Sequence, residues 1–346
     1  MHTTILDHVK QGQTMTVENI VSLLTFPEVD SLYQAANECR HNNMGDDIYL
    51  RGIIEFSNIC IKNCNYCGIR GSNTEIVPYR IPDKDILNTC QKMVDWGYTS
   101  VVLQSGEDPF YTTEKLAKLI MVIKETTPLA ITLSVGERDE EAYRIWKKAG
   151  MDRYLLRFET SDPKLFKACH PDDDLFVRLE CLETLRNKGI QVGSGFLIGL
   201  PNETLEQLAH DILFCTQLNL DMIGIGPFIA HPNTPFADQP NSFNSDIFYK
   251  TIAILRLLNP LAHIPATTAF DAIDPNGRDL VLQRGANVFM PNATPMAYRE
   301  HYQLYPGKPC ITESSDDCAG CVKGRIKRLG RTLGNDAGHS FKNPLR

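Results

Sequence analysis

The sequence predicts an α/β fold, a (β/α)8 TIM barrel with an N-terminal helical extension and a C-terminal cysteine-containing tail. Three observations lead there. Eight short apolar runs alternate with amphipathic stretches of helical length, the pattern of βαβ units whose strands pair in parallel. A chemistry-bearing residue or turn stands at the C-terminal end of each run, where barrels of this kind place their active sites. The length, 346 residues, exceeds an ordinary domain but suits a single α/β barrel.

Residues 1 to about 45 read as helical, since 17–24 spaces its apolar side chains at helical intervals. From Asp47 the period changes. Strands are expected over 48–56, 100–104, 130–135, 153–157, 191–198, 222–225, 264–266 and 288–290. Helices are expected near 83–96, 113–126, 139–149, 174–188, 203–219, 244–258 and 276–284, the fifth opened by a capping box of Thr204 and Gln207. The tail from about Pro306 is Gly-rich and basic, and its last ten residues are expected to be loosely ordered. The expected organisation is an extension over 1–46, a barrel over 47–305, and a segment over 306–346 that carries an accessory site.

Composition excludes several classes. With 35 basic against 42 acidic side chains and a net charge of −7, a nucleic-acid groove is not expected. The N-terminus has no apolar core of a signal peptide. No stretch of membrane-spanning length is free of charges and turn residues. Eleven cysteines without an export signal point to a reducing cytoplasm, and to metal in place of disulfides. Because exposed clusters are oxygen-sensitive, an anaerobic or microaerobic cell is expected.

Cys60, Cys64 and Cys67 fall in a loop after the first strand. Iron–sulfur clusters are normally held by four cysteines, so three thiolates leave one iron open to another ligand. A structural zinc site would use four protein ligands, typically in Cys-x2-Cys knuckles, and no fourth cysteine or histidine lies close by in the sequence. A disulfide plus a spare thiol suits a short secreted chain, which this is not. A second set, Cys310, Cys318 and Cys321, is spaced Cys-x7-Cys-x2-Cys with Asp316, Asp317 and Gly320 between. It reads as a second cluster, [2Fe-2S] or [4Fe-4S], against the plainer alternative of three scattered thiols. Cys39, Cys90, Cys169, Cys181 and Cys215 stand alone as small hydrophobes, and the histidines, His231 and His263 among them, show no ligand spacing.

Other constellations have two readings each. In Ser105-Gly106-Glu107 the glycine lets backbone approach a ligand, or the segment is an ordinary turn with a helix-capping acid. Arg157 and Glu159 alternate, so they face opposite sides unless the strand has already ended. A buried arginine needs a partner, either an anionic ligand or an internal carboxylate. Arg178 either takes a ligand carboxylate or lies on a solvated helix face.

The cysteine spacing resembles the radical S-adenosylmethionine (SAM) superfamily. There the open iron of a [4Fe-4S] cluster chelates SAM, and an injected electron breaks its C5′–S bond to give a 5′-deoxyadenosyl radical. The stretch from Gly193 to Glu203 is similar to the glycine-rich strand that admits adenine in those barrels. A more specific resemblance, to the [FeFe]-hydrogenase maturases of the HydE branch, runs over essentially the whole chain. It rests on Tyr66-Cys67-Gly68, Leu103-Gln104-Ser105-Gly106-Glu107-Asp108-Pro109, Gly224-Ile225-Gly226-Pro227-Phe228-Ile229, Ile264-Pro265-Ala266-Thr267-Thr268-Ala269 and Tyr302-Gln303-Leu304-Tyr305-Pro306-Gly307-Lys308.

That resemblance implies a SAM cluster on Cys60, Cys64 and Cys67. It implies SAM held by Gln104, Ser105, Gly106, Glu107, Ser134, Glu159 and Arg178. The substrate cavity would be lined by Thr132, Arg157, Met222, Thr267, Thr268, Met290 and Tyr302, and the tail cysteines would hold an accessory cluster. The implied substrate is a cysteine-bound Fe(CO)2(CN) unit from HydG, attacked at sulfur by the radical to build a diiron precursor. HydF is implied as scaffold, and a ferredoxin or flavodoxin as electron donor. Phe158 departs from the pattern, being histidine in some relatives. Three rivals differ. Biotin synthase keeps a sacrificial cluster on cysteines inside its barrel, and 101–104, 131–133 and 195–198 carry none. Methylornithine synthase, an isomerase, matches the fold but not the tail cysteines. A metal-carrying scaffold would not need the SAM set.

Overall fold

The structure, a computed structural model, describes residues 2–342, with the side chains of 2–4 and 315–317 outside the described residues. Its strands are β1 (Asp47–Ser57), β2 (Ser100–Ser105), β3 (Ala130–Ser134), β4 (Arg153–Leu155), β5 (Gln191–Ser194), β6 (Leu197–Ile198), β7 (Met222–Ile223), β8 (Gly226–Pro227), β9 (Pro265–Ala266), β10 (Val288–Phe289) and β11 (Thr332–Leu333). Eight of them pair in parallel in the order β7-β5-β4-β3-β2-β1-β10-β9. The ring closes just before β9, where Ile223 N–H donates to the His263 carbonyl at 2.8 Å and His263 N–H to Asp221 at 2.9 Å. This is the nearly closed barrel that the alternation of apolar runs predicts.

Val101, Val102, Leu103, Ile131 and Leu133 are all buried, as strands covered on both faces must be. The fifth and sixth expected strands are each split. Gly195 breaks the fifth at φ +150°, and a Cβ there would lie 2.1 Å from the Gly224 carbonyl oxygen. The chain resumes above as β6 and β8, which pair with each other.

The expected helices form as Asp83–Asp95, Thr113–Thr126, Glu140–Ala149, Leu175–Asn187, Leu205–Gln217, Ser245–Leu258 and Gly277–Gln283. Thr204 Oγ1 accepts from Gln207 N–H at 3.2 Å, and Gln207 Oε1 accepts from Thr204 N–H at 2.9 Å. The extension is three helices, His2–Lys10, Val17–Leu24 and Val29–Met44. They lie against Leu205–Gln217 and Ser245–Leu258, which is why every residue from Phe248 to Leu257 is buried. Four helices were not expected: Pro163–Cys169, Thr268–Ile273, Met296–Arg299 and Ser315–Arg328. The last buries Cys318, Ala319, Val322 and Ile326, a helical stripe that Gly320, Gly324 and the charges around it disguise.

The tail corrects one expectation. Residues 337–342 are not loose but plug the N-terminal mouth of the barrel. After β11 pairs with β1, Ser100 Oγ donates to the Ala337 carbonyl at 3.0 Å. Arg153 also donates to that carbonyl, and Arg51 donates to the Gly338 carbonyl at 2.9 Å. Ser340 is fully buried. Residues 343–346 lie outside the described residues. No helix among the described residues is long and apolar enough to cross a membrane.

Asp211 is a buried acid on the helix Leu205–Gln217. One oxygen accepts from both Ser161 N–H and Oγ–H at 2.5 Å, while Oδ2 has no partner. Burial raises its pKa from 3.8 to about 7. The unfolded chain thus releases this proton first, and stability falls as pH rises from about 4 to 7. Asp211→Asn is expected to melt above wild type at pH 8, by on the order of 2–4 kcal/mol. The advantage should shrink as pH falls towards 4; thermal melts across that range check it.

Candidate active site

At the C-terminal rim of the strands a cavity of about 320 Å³ opens, within the usual range for small-ligand sites of roughly 300–1,000 Å³. Cys60, Cys64 and Cys67 form one wall and are the only cysteines lining it. Their loop is tied down at both ends. Asn58 Nδ2 donates to Val77 and His301 carbonyls at 2.9 and 2.8 Å, and Gly68 N–H donates to Leu304 at 2.9 Å. Lys62 N–H and Glu107 N–H both reach Cys60 Sγ at 3.4 Å. Burial raises all three thiols, Cys67 to about 12, so metal binding must displace their protons. Glycine is required at 106 because a Cβ would sit 2.3 Å from the Ile59 carbonyl oxygen. That contact brings the turn after β2 against the cysteine loop.

Beside the thiols lies a belt of paired charges. Lys62 ion-pairs with Asp173 and stands 3.6 Å from Glu137 and 3.9 Å from Glu107. Arg178 bonds Glu137 at 2.8 Å, Asp173 at 2.7 Å and the Arg157 carbonyl at 3.2 Å. Burial raises Glu107 against the hydrogen bond it accepts from Glu137 N–H. Burial also works on Asp173, but the hydrogen bond from Lys62 and the charges of Arg178 and Lys62, with the His170 ring 3.5 Å away, outweigh it and hold the carboxyl well below the usual range.

The strand β4 ends at Leu155, so Arg157 and Glu159 need not alternate. Glu159 takes the left-handed conformation at φ +65°. Both side chains turn into the cavity, where Arg157 Nε donates to Glu159 Oε1 at 3.1 Å. Glu159 Oε2 is buried without a partner.

The structure thus brings together most of the residues singled out in the sequence. Gln104, Ser105, Gly106, Glu107, Ser134, Arg157, Glu159, Arg178, Thr267, Thr268, Met290 and Tyr302 all line the cavity with the three cysteines. Arg178 is buried at 5% exposure, so the solvated-face alternative fails. Two expected lining residues are elsewhere. Met222 lies low on β7, its sulfur accepting from Arg51 Nη1 at 2.6 Å near the tail plug. Thr132 is buried in mid-strand, with its hydroxyl unpartnered, below the cavity wall.

The tail cysteines also do not line the cavity. The Cys310 and Cys318 thiols interact, which lowers Cys310 and raises Cys318; Cys321 is exposed. The side chains of Asp316 and Asp317 lie outside the described residues. Phe158 faces away, packed on Phe196 and Phe214 at 5.8 and 5.2 Å between ring centres.

Sequence reasoning missed Glu55, Lys62, Tyr66, His170, Asp173, Tyr305 and Lys308, all of which line the cavity. Lys62 and Tyr66 lay inside the cysteine loop itself. Lys308 pairs with Glu55 across 253 positions of chain, a contact with no local signal. His170 stands 3.3 Å from Cys64 Sγ, although its spacing from the cysteines gave no hint of it. His263 belongs to the other end of the barrel, against Asn287 and the His339 carbonyl.

Residues 54–215 match the model of the Radical SAM superfamily. The chain is 45% identical, over 89% of its own length and 88% of the other, to the [FeFe] hydrogenase maturase subunit HydE of Thermotoga maritima. It belongs to the HydE family of radical SAM enzymes. More distantly, it is 29% identical to a 3-methylornithine synthase of Methanosarcina barkeri, over 82% of this chain and 81% of that one. The solved methylornithine synthase PylB superposes with a TM-score of 0.84 at 25% identity, covering 95% of this chain and 97% of that one. HydG from Carboxydothermus hydrogenoformans shares the fold, with a TM-score of 0.79 at 21% identity over 94% and 78% of the two chains.

Membership implies a [4Fe-4S] cluster and SAM as the groups a HydE enzyme carries. The donor set fits them. Three thiols without a fourth cysteine in the cavity wall would leave one iron position for a ligand, and Glu159 Oε2, in the same cavity, is buried and unpartnered.

Gly136, at φ +79°, tests how tightly the belt is built, since a Cβ there would lie 2.0 Å from Glu107 Cγ. Gly97, at φ +80°, has nothing within 4 Å. Both alanine variants should pay a backbone strain of about 1–2 kcal/mol. Gly136→Ala should lose a further ~1–3 kcal/mol by displacing Glu107, read as the difference between the two in denaturant unfolding.

Proposed function

We propose that Cys60, Cys64 and Cys67 hold the [4Fe-4S] cluster and that SAM lies between it and the barrel mouth, on Gln104, Ser105, Gly106, Glu107, Ser134, Glu159 and Arg178. When bound, these groups supply a 5′-deoxyadenosyl radical by reductive cleavage of SAM. Glu107 and Glu159 offer carboxylates for the SAM amine and ribose, and the Lys62–Asp173–Arg178 belt fixes their positions. Leu197, on the cavity wall, offers an apolar face to adenine.

Deeper in the cavity, Arg157, Thr267, Thr268, Met290 and Tyr302 would receive the substrate, a cysteine-bound Fe(CO)2(CN) complex. Arg157 suits an anionic, cyanide-bearing unit, and Met290 offers a soft thioether near iron. The cysteine sulfur is the reacting atom. It takes the 5′ carbon, its bond to cysteine Cβ breaks with the unpaired electron leaving on the carbon fragment, and sulfur stays on iron. The product is a precursor of the diiron subcluster. HydG as the source of the complex, HydF as the acceptor and a ferredoxin or flavodoxin as the electron donor complete the reading. The tail would hold a separate accessory cluster on Cys310, Cys318 and Cys321, so that 1–46, 47–305 and 306–346 act as extension, catalytic barrel and accessory segment.

The observation that carries this reading is the single cavity where three thiols, the belt and Arg157 meet. The absence of a barrel-interior cysteine from its lining favours it over sulfur insertion of the biotin synthase kind, and membership of an enzyme family sets the carrier alternative aside.

Anaerobically reconstituted protein is expected to form 5′-deoxyadenosine from SAM and dithionite, and Cys64→Ala to form none. Supplied with a synthetic cysteine-bound Fe(CO)2(CN) complex, Arg157→Leu should lose roughly 10–150-fold in kcat/KM, the worth of one charged hydrogen bond. Wild type that binds SAM and a full cluster yet cleaves nothing would contradict the assignment.

A further inference from the structure

We propose that His170 tunes the reduction potential of the cluster by donating an Nδ1–H hydrogen bond to the Cys64 sulfur. The inference rests on the reading that Cys60, Cys64 and Cys67 hold the cluster. His170 follows the short helix Pro163–Cys169 and is 2% exposed. Its Nδ1 lies 3.3 Å from Cys64 Sγ and 3.5 Å from Asp173 Oδ2, and its Nε2 lies 3.2 Å from the Tyr66 hydroxyl. The ring cannot swing away. It stacks on Phe166 with centres 4.6 Å apart and planes 15° from parallel, and meets Tyr66 edge-on at 5.4 Å. The backbone is pinned as well, by His170 N–H to Phe166 at 2.8 Å and by Asn65 N–H to Cys169 at 2.8 Å.

The geometry decides where the ring proton goes. Asp173 Oδ2 is already taken by Arg178 at 2.7 Å, and Oδ1 by Lys62. At 3.5 Å the ring is too far from that oxygen for a good N–H···O bond, whereas sulfur, with its larger radius, is within reach at 3.3 Å. Nε2 lies 3.2 Å from the hydroxyl of the half-buried Tyr66, and with that O–H donating to Nε2 the proton of a neutral ring stays on Nδ1. An iron-bound thiolate offers no hydrogen of its own, so the pair has one sensible polarity: Tyr66 O–H to Nε2, then Nδ1–H to Cys64 Sγ.

A donor aimed at a ligand sulfur favours the more electron-rich, reduced cluster and raises its potential. Cys60 receives its hydrogen bonds from the backbone of Lys62 and Glu107, which no substitution alters directly. At Cys64 the donor is a side chain, and so the potential is adjustable there. A purely structural role would need only the ring's volume and its stack on Phe166, both of which phenylalanine supplies.

EPR-monitored redox titration of reconstituted protein tests this, with Cys310→Ala, Cys318→Ala and Cys321→Ala in every sample so that one cluster is titrated. Iron and sulfide are quantified first. His170→Phe is expected to move the midpoint to a more negative value, with a severalfold to tenfold loss in the reduced-to-oxidised ratio at fixed potential; tenfold is 59 mV for one electron. His170→Asn, which keeps an amide donor, should stay closer to wild type. Tyr66→Phe, which frees the other tautomer, should shift in the same direction by less. An unchanged midpoint in a fully loaded His170→Phe overturns the proposal. Should that variant fail to hold its cluster, an unchanged midpoint in Tyr66→Phe overturns it equally. A parent sample that retains no [4Fe-4S] cluster would instead overturn the cysteine assignment, and the tuning role with it.

Discussion

Parallel pairing of eight strands in a ring forces every strand's C-terminal end onto one rim, and the site depends on that constraint. Residues as distant in sequence as Cys60, Glu107, Glu159 and Thr268 share a wall because each follows a strand of the same sheet. The opposite rim is used for stability. There Arg51 and Arg153 are buried, and each donates to a carbonyl of the returning tail. Taking such charges out of water is costly unless hydrogen bonds replace the lost solvent, so ordering of the tail and burial of the arginines go together.

Charge is handled differently at the active rim. Lys62, Arg178 and Arg138 face Glu107, Glu137 and Asp173 in one connected belt. Such networks hold a unique arrangement only when every member is satisfied, and the described belt leaves few loose ends. Glu159 is the exception, with one oxygen bonded to Arg157 and the other bare. In the function proposed above, that oxygen is the one a bound ligand would satisfy.

Much of this was legible in the sequence, for physical reasons. Strand and helix periods depend on burial on both faces or one, and so the runs over 100–104 and 130–135 read plainly. The cysteine loop and Ser105-Gly106-Glu107 could be read because close approach and metal ligation demand particular residue types at short spacing. What escaped depends on contacts between distant positions. Lys308 meets Glu55, and His170 meets Cys64 and Tyr66, through the fold alone. Met222 was expected in the cavity by the resemblance alone, but the sixth run splits at Gly224, and the methionine stays below, bonded by Arg51. The tail was misread because glycine and basic residues suggest disorder when the cavity they plug is not visible.

In the proposed site three thiols, and no fourth, hold a cluster whose open iron takes SAM. The most direct measurement is EPR of the dithionite-reduced protein with the tail cysteines replaced by alanine, recorded before and after SAM is added. A single reduced [4Fe-4S] signal whose g values shift on SAM binding is expected. A signal indifferent to saturating SAM, or one that survives loss of Cys60, Cys64 and Cys67 together, would contradict it.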